Sequence, residues 1–562
     1  MTTEAVPHDT VSSDDGGKGL KTGAIGLASS IVIGVASTAP AYSLAATLGY
    51  IVILVGLQAP AIVVLAFVPI LFVSIGYQQL NKREPDCGTT FTWATKAFGP
   101  KTGWMGGWGI IAADLLVMAS LAQVAGQYVF LLFGAEGIGS NSSSVWVLIV
   151  GLLWMAVMTY ICYRGIEVSA RIQQALLSLE VVVLVIFAVT ALVKVYGSNP
   201  PATAIHPALS WFNPFHVASV STFFQGIVLM LFIYWGWDSA VSVNEETKDR
   251  DKTPGRAAII STVLLLVTYV IVTLAAQSFA GVGEKGIGLS NPDNSTDILS
   301  VVGNAVFGTT GFGAVMGKLL ILLVLTSAAA STQTTILPTA RTSLSMAAFK
   351  SIPGRFAHIH PKYLTPTQST VWMGGLSALI YLAMNFYSDG NLIADAVTAI
   401  GMMIAFYYGL TGFACTWYYR RELFDDAYSF FMKGLIPLLG GIMLFVGLVL
   451  TVVQDWKPEN SYVVWTTPWG WVIGWAFLLG VGTVIVGVVL MLICARVYKP
   501  FFAGLTLNRD TPIFLAEGEP ITVAHLLPDD QTDSVVIASD FSNLPHGAAA
   551  IDPLTGEERR KD

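Results

Sequence analysis

Apolar stretches of roughly twenty residues recur along almost the whole chain, each long enough to cross a bilayer. They fall at residues 23–48, 51–77, 104–133, 145–163, 171–196, 219–243, 257–280, 313–340, 368–387, 390–418, 434–454 and 469–495. The pattern predicts an all-α polytopic membrane protein with twelve transmembrane helices. Composition agrees: only 12% of the 562 residues are charged, against about 25% in soluble domains. A water-soluble fold would leave too much apolar surface uncovered.

The basic residues test this count independently, because Lys and Arg accumulate in cytoplasmic loops. With the N-terminus inside, 25 of the 29 fall on the cytoplasmic side, and only Lys194, Lys285, Lys318 and Lys457 fall outside. Both termini are therefore expected in the cytoplasm, with the chain threaded many times through the plasma membrane. The acidic, polar start MTTEAVPHDTVSSDD is wrong for a signal peptide. The net charge of −7 argues against a nucleic-acid partner. Cys87, Cys162, Cys415 and Cys494 are too scattered for a disulfide scaffold or a zinc site. No metal or cofactor is expected. The chain divides into a tail (1–22), two five-helix sets (23–218 and 219–430), two further helices (431–499) and a second tail (500–562). One strand is predicted at 534–541.

Two of the helices look badly made. The first contains Ser37, Thr38 and Pro40 in mid-membrane, and proline removes a backbone donor and clashes with the preceding turn. The sixth contains Trp235, Gly236, Trp237 and Asp238. Irregular backbone at that depth survives only where it is buried in protein or lines a cavity. Helices one and six each open a five-helix set and cross in opposite directions. Paired interruptions of this kind point to a secondary-transporter site at the midplane. Simple kinking is the alternative.

Four acids sit within predicted spans: Asp114, Glu180, Asp238 and Asp395. Intramembrane charge is expensive, so each is a functional candidate. The reading allows a proton, a cationic ligand, or a structural hydrogen bond for each of them. For Asp395, near the outer start of span ten, a hydrated position at the membrane interface is an alternative. Ser331 and Thr332 in span eight are candidates for a cation site with first-helix carbonyls; the alternative is that they bond back to their own helix. Glu245 and Glu246, followed by Lys248, Arg250, Lys252 and Arg256, read as a solvated cytoplasmic helix end, with gate salt bridges as the alternative. Gly103 and Gly107 suit close helix packing. The GxGxxG run at 281–286 lacks any βαβ context, so dinucleotide binding is excluded. No Walker A sequence and no nucleophile–base arrangement is present, which excludes ATP-driven transport and gives no sign of an enzyme.

The stretches IGVASTAPAYS (33–43), EPDCGTTFTW (84–93), FIYWGWDSAVSVNEET (232–247) and STQTTILPTAR (331–341) resemble the amino acid–polyamine–organocation superfamily of permeases. The resemblance implies a five-plus-five inverted repeat with discontinuous helices one and six. It also implies a substrate carboxylate cradled by amides of Ala36, Ser37, Thr38 and Ala39, and an amino group facing carbonyls of Phe232, Ile233 and Trp235. Phe232, Trp235, Trp237 and Asp238 would complete the substrate site. Many members carry glycines in the first break, and this chain does not, which tilts the expected substrate toward basic or polyamine-like molecules. Many relatives have lysine where Glu180 stands, so Glu180, with Asp114 and Asp238, is the candidate for proton coupling. The expected function is import of amino acids or related amines by proton (or sodium) symport with alternating access. A polyamine or amine exchanger and a potassium carrier on the same fold are the alternatives.

Overall fold

The computed structural model describes residues 18–294, 298–308, 310–388, 391–511, 549–551 and 558–560. The strand expected at 534–541 and most of both tails lie outside the described residues. The first apolar run forms α1 (Leu27–Ser37) and α2 (Pro40–Val55), and α3 (Ala59–Arg83) follows. Next come α4 (Thr90–Phe98), α5 (Pro100–Leu132), α6 (Glu136–Gly139), α7 (Val145–Arg164) and α8 (Ile166–Val195). The sixth run forms α9 (Val220–Ile233) and α10 (Ser239–Ser242), before α11 (Thr253–Ala280) and α12 (Ile298–Phe307). Then follow α13 (Phe312–Ala348), α14 (Thr367–Ser388), α15 (Asn391–Tyr418) and α16 (Ile436–Asp455). A small antiparallel hairpin, β1 (Val464–Thr466) with β2 (Val472–Gly474), pairs Trp465 with Ile473 and leads into α17 (Trp475–Val497) and α18 (Lys499–Phe502). Strands β3 (Ala549–Ile551) and β4 (Glu558–Arg560) also pair antiparallel.

Among the described residues, nine helical stretches are long and apolar enough to cross a membrane. The first is the whole of Leu27–Arg83, 57 residues. At 1.5 Å per residue that would extend about 85 Å, nearly three times the hydrocarbon thickness. It is therefore broken, at Ala39 and again at Gly56, where φ is +59°.

Three features differ from expectation. The break between the first two runs falls at Gly56, not near residue 50, because Gly49 stays inside α2 and the positive-φ glycine ends it. Helix α13 continues past residue 340 to Ala348, carrying Arg341 with it. Helices α4 and α12 lie in segments read as loops, and the hairpin takes up the start of the run read as a helix over 469–495, so that α17 begins only at Trp475.

Helix α5 occupies the middle of the bundle and packs against α4, α7, α13 and α15, while α1 packs against α8, α11 and α13. Glycine makes the closest of these approaches possible. A Cβ on Gly103 would fall only 1.8 Å from Thr95 Oγ1, so α4 and α5 can touch only without a side chain there. The outer helices instead show apolar side chains to their surroundings, as at Ile485, Val489 and Ile493 of α17.

Candidate functional site

Helix α1 ends at Ser37, and the amides of Thr38 and Ala39 turn back onto the carbonyls of Val35 and Ala36 at 3.2 and 3.1 Å. Ala39 then takes a left-handed conformation (φ 46°, ψ 67°), an arrangement that costs an L-residue about 1–2 kcal/mol. Pro40 opens α2 at a position where its missing N–H leaves no bond unmade. In the sixth run the helix stops at Ile233, and residues 234–238 form a turn before α10.

The two breaks touch. Gly236 has φ +117°, and a Cβ there would lie 2.8 Å from both the carbonyl oxygen and the hydroxyl of Ser37. Only glycine permits that approach. Ser37 and Ser239 hydroxyls meet at 2.9 Å, and Ser239 donates on to the Thr334 carbonyl at 3.1 Å. Ser331 donates to the Ser37 carbonyl at 2.9 Å. Helix α13 thus laces both interruptions together.

A narrow cleft, with room for about one water molecule in this conformation, lies at this junction. Of the expected residues, Ser37, Thr38, Ala39, Phe232, Trp235 and Ser331 line it, joined by Tyr42 and Ser43. Ala36, Ile233, Trp237 and Asp238 do not. Ile233 gives its carbonyl to Tyr269 Oη at 2.5 Å, and the buried Trp237 ring packs on Tyr77 and Tyr408. The amides of Ala36 and Ser37 lie inside α1, and those of Thr38 and Ala39 are bonded as above. None of the four is free to cradle a carboxylate in this conformation, because the break closes with tight turns instead of unwinding.

Glu180 reaches the first break from α8. Its Oε1 accepts the Ala41 amide at 2.7 Å and the Ser327 hydroxyl at 2.9 Å, while Oε2 is buried without a partner. The carboxylate therefore sits on the N-terminus of α2, where the helix dipole favours an anion. Asp238 accepts from Tyr408 at 2.7 Å and Tyr407 at 3.2 Å, and Tyr407 in turn accepts from Trp235 Nε1 at 2.6 Å. Asp114 accepts from Thr339 at 2.5 Å. Among the described residues no Lys or Arg pairs with these three acids. Asp395 is elsewhere: instead of being hydrated at an interface it is buried, taking the amides of Tyr462 and Val463 at 2.9 Å each, and it anchors the segment before the hairpin. Thr332 bonds back to the Ala328 carbonyl of its own helix at 2.7 Å, so Ser331 alone reaches the first helix.

The sequence reading missed Tyr407, Tyr408, Ser239 and Ser327. The tandem tyrosines within an apolar run were the visible signal. It also placed Arg341 in a loop and Glu245 and Glu246 in solvent. All three are buried. Arg341 binds Glu246 through two bonds of 2.7 and 2.9 Å, and this neutralisation lets α13 continue beyond residue 340. Glu245 binds Lys18 at 2.5 Å, and Lys18 also binds Asp86 at 2.6 Å. Asp86 further accepts from Thr92 and Ser345, at 2.7 Å each. Burial opposes both charges here, but each is outweighed by its partners. Asp86 and Glu245 hold the Lys18 ammonium well above its ordinary value, and Lys18 with the two hydroxyls holds Asp86 below the usual carboxylate range.

Residues 22–478 match the family model described as amino acid permease. The chain belongs to that family. Among its relatives is the branched-chain amino acid permease BcaP of Bacillus subtilis (strain 168), 23% identical over 72% of this chain and 82% of that protein. The low-affinity putrescine importer PlaP of Escherichia coli (strain K12) is 23% identical over 68% of this chain and 79% of its own length. The methylthioribose transporter of Bacillus subtilis (strain 168) is 22% identical over 58% and 69%, respectively. Membership makes this multi-pass membrane protein a permease and not an enzyme.

Proposed function

We propose that this permease is a secondary active transporter that imports amino acids or related amines across the plasma membrane by proton symport. In this reading twelve crossings form a five-plus-five inverted repeat (23–218 and 219–430), with helices 11 and 12 outside it and both termini cytoplasmic. Substrate occupies the cavity between the two helix breaks. The observation that carries the proposal is the meeting of those breaks, Gly236 against Ser37, around a narrow cleft, with the Glu180 carboxylate reaching the same break without a Lys or Arg partner among the described residues. The relatives named for branched-chain amino acids and for putrescine support a nitrogenous substrate.

Coupling rests on Glu180, with Asp238 and Asp114 as further carriers. A carboxylate buried without a cationic partner must take a proton or meet a cation. Glu180 sits against α2, so a proton arriving there removes an anion from the end of the helix that must move. Asp238 is tied through Tyr407 to Trp235 at the cavity wall, which links its charge to the substrate. Rocking of one five-helix set against the other then alternates access.

The test is uptake by proteoliposomes under an inward proton gradient, with arginine, lysine, putrescine, glutamate, alanine and leucine as substrates. Saturable, gradient-driven uptake that is lost in Glu180→Gln is the expected result. Uptake that needs an inward sodium gradient instead would discard proton coupling. No flux of any compound would discard the amine-permease reading.

A further inference from the structure

Hydrogen-bond donors around the cavity can be counted one by one, and nearly all are already spent. Of the main-chain donors at the break, Thr38, Ala39 and Ser43 bond to carbonyls, Ala41 to Glu180 and Tyr42 to Ser327 Oγ, while Pro40 has none to give. The indole N–H of Trp235 goes to Tyr407.

The hydroxyls are committed too. Thr38 donates to the Val35 carbonyl at 2.8 Å, Ser43 to the Thr38 carbonyl at 2.6 Å and Ser331 to the Ser37 carbonyl. Because Ser239 gives its hydrogen to Thr334, Ser37 must give its own to Ser239. Each hydroxyl has one hydrogen and two lone pairs. Four cavity-lining hydroxyls have thus used their hydrogens and keep lone pairs to offer. No Lys or Arg lines the space. The one other hydroxyl on the wall, that of Tyr42, shares a 2.7 Å bond with Ser120 in which either oxygen can donate. The wall is rich in acceptors, poor in donors and faced by the aromatic rings of Phe232, Trp235 and Tyr42.

Glu180 completes the argument. A substrate carboxylate would seek the N-terminal amides of α2, but the protein's own carboxylate already holds the Ala41 amide at 2.7 Å. A second anion there would find no free main-chain donor and no cation. An ammonium group meets the opposite situation: lone pairs to accept its three hydrogens and π-faces to stabilise its charge.

From this donor count, and resting on the transporter reading above, we infer that the cavity takes an amine that carries no carboxylate. Its ammonium is read by the oxygens of Ser37, Thr38, Ser43 and Ser331 and by the rings beside them.

Matched pairs test this directly with the wild-type, full-length protein in proteoliposomes. Each pair is an amino acid and its decarboxylation product: ornithine and putrescine, lysine and cadaverine, phenylalanine and phenethylamine, valine and isobutylamine. Initial rates are measured under the same inward proton gradient. The expected result is that, in the pairs that move at all, the amine enters about a hundredfold faster than its amino acid, since burying a carboxylate without hydrogen-bond donors or a counter-ion is strongly disfavoured. Equal or faster entry of the amino acids overturns the inference while leaving the permease reading intact. Absence of uptake in every pair overturns both.

Discussion

Buried acids occur at two levels of this molecule and are treated in opposite ways. At one end of the bundle, beside the N-terminal Lys18, Glu246 lies against Arg341, and Asp86 and Glu245 share Lys18. At the broken helices Glu180, Asp238 and Asp114 have only amides and hydroxyls for company. The first arrangement neutralises charge with parts of the chain itself, so nothing else is needed there. The second leaves these acids without a Lys or Arg partner among the described residues. The same side chain builds a brace in one place and, in the function proposed above, a receptor in the other.

Breaking the brace has the largest expected effect. Arg341→Leu leaves Glu246 buried and alone, which costs about 3–5 kcal/mol, and thermal unfolding in detergent should show a correspondingly large fall. Combining it with Glu246→Leu should recover most of that loss. A single variant as stable as wild type would show that the pair holds nothing.

At the centre, sensitivity is to volume more than to charge. Gly236→Ala places a methyl group 2.8 Å from two Ser37 oxygens, and overpacking of this kind costs about 1–3 kcal/mol. The same melt measures it, and uptake should fall with it as the breaks are pushed apart. Glu180→Gln keeps an acceptor for Ala41 and Ser327, so its stability should change by no more than about 1 kcal/mol. Gradient-driven uptake should nevertheless disappear. A variant that unfolds instead would move Glu180 into the same class as Glu246.

The smallest expected effect is an absence of change with pH. Asp86 is held below the usual range, so its contribution is present above the ordinary carboxylate value of about 4 and is lost only below it. Lys18 is held above its ordinary value, so its contribution is complete below about 10.4 and is lost only as pH climbs further. The stability difference between wild type and the uncharged triple variant Lys18→Met, Asp86→Asn, Glu245→Gln should therefore stay flat from about pH 5 to 9. A slope in that window would mean that the Lys18 brace titrates.

Much of the fold was legible because apolar runs and proline announce themselves locally. Pro40 and Asp238 marked both breaks, and Glu180 stood out in an apolar helix. What the sequence could not display was partnership. Lys18 meets Glu245 across 227 residues, and Tyr407 meets Asp238 across 169. Nothing in the local pattern records such distances. Arg341 was misplaced for the same reason, since a basic residue at a run's end reads as solvated until its carboxylate is found. The carboxylate cradle expected at Ala36 to Ala39 is closed in this conformation for a finer reason: whether a break unwinds or tightens depends on single hydrogen bonds.

Ala39 carries one further consequence. Glycine at that point would let the joint between α1 and α2 settle over a broad range of angles. Alanine finds only a small allowed well in the left-handed region. The bend in the first helix is thus a detent, which holds one setting firmly and must be pushed over a rim to reach another.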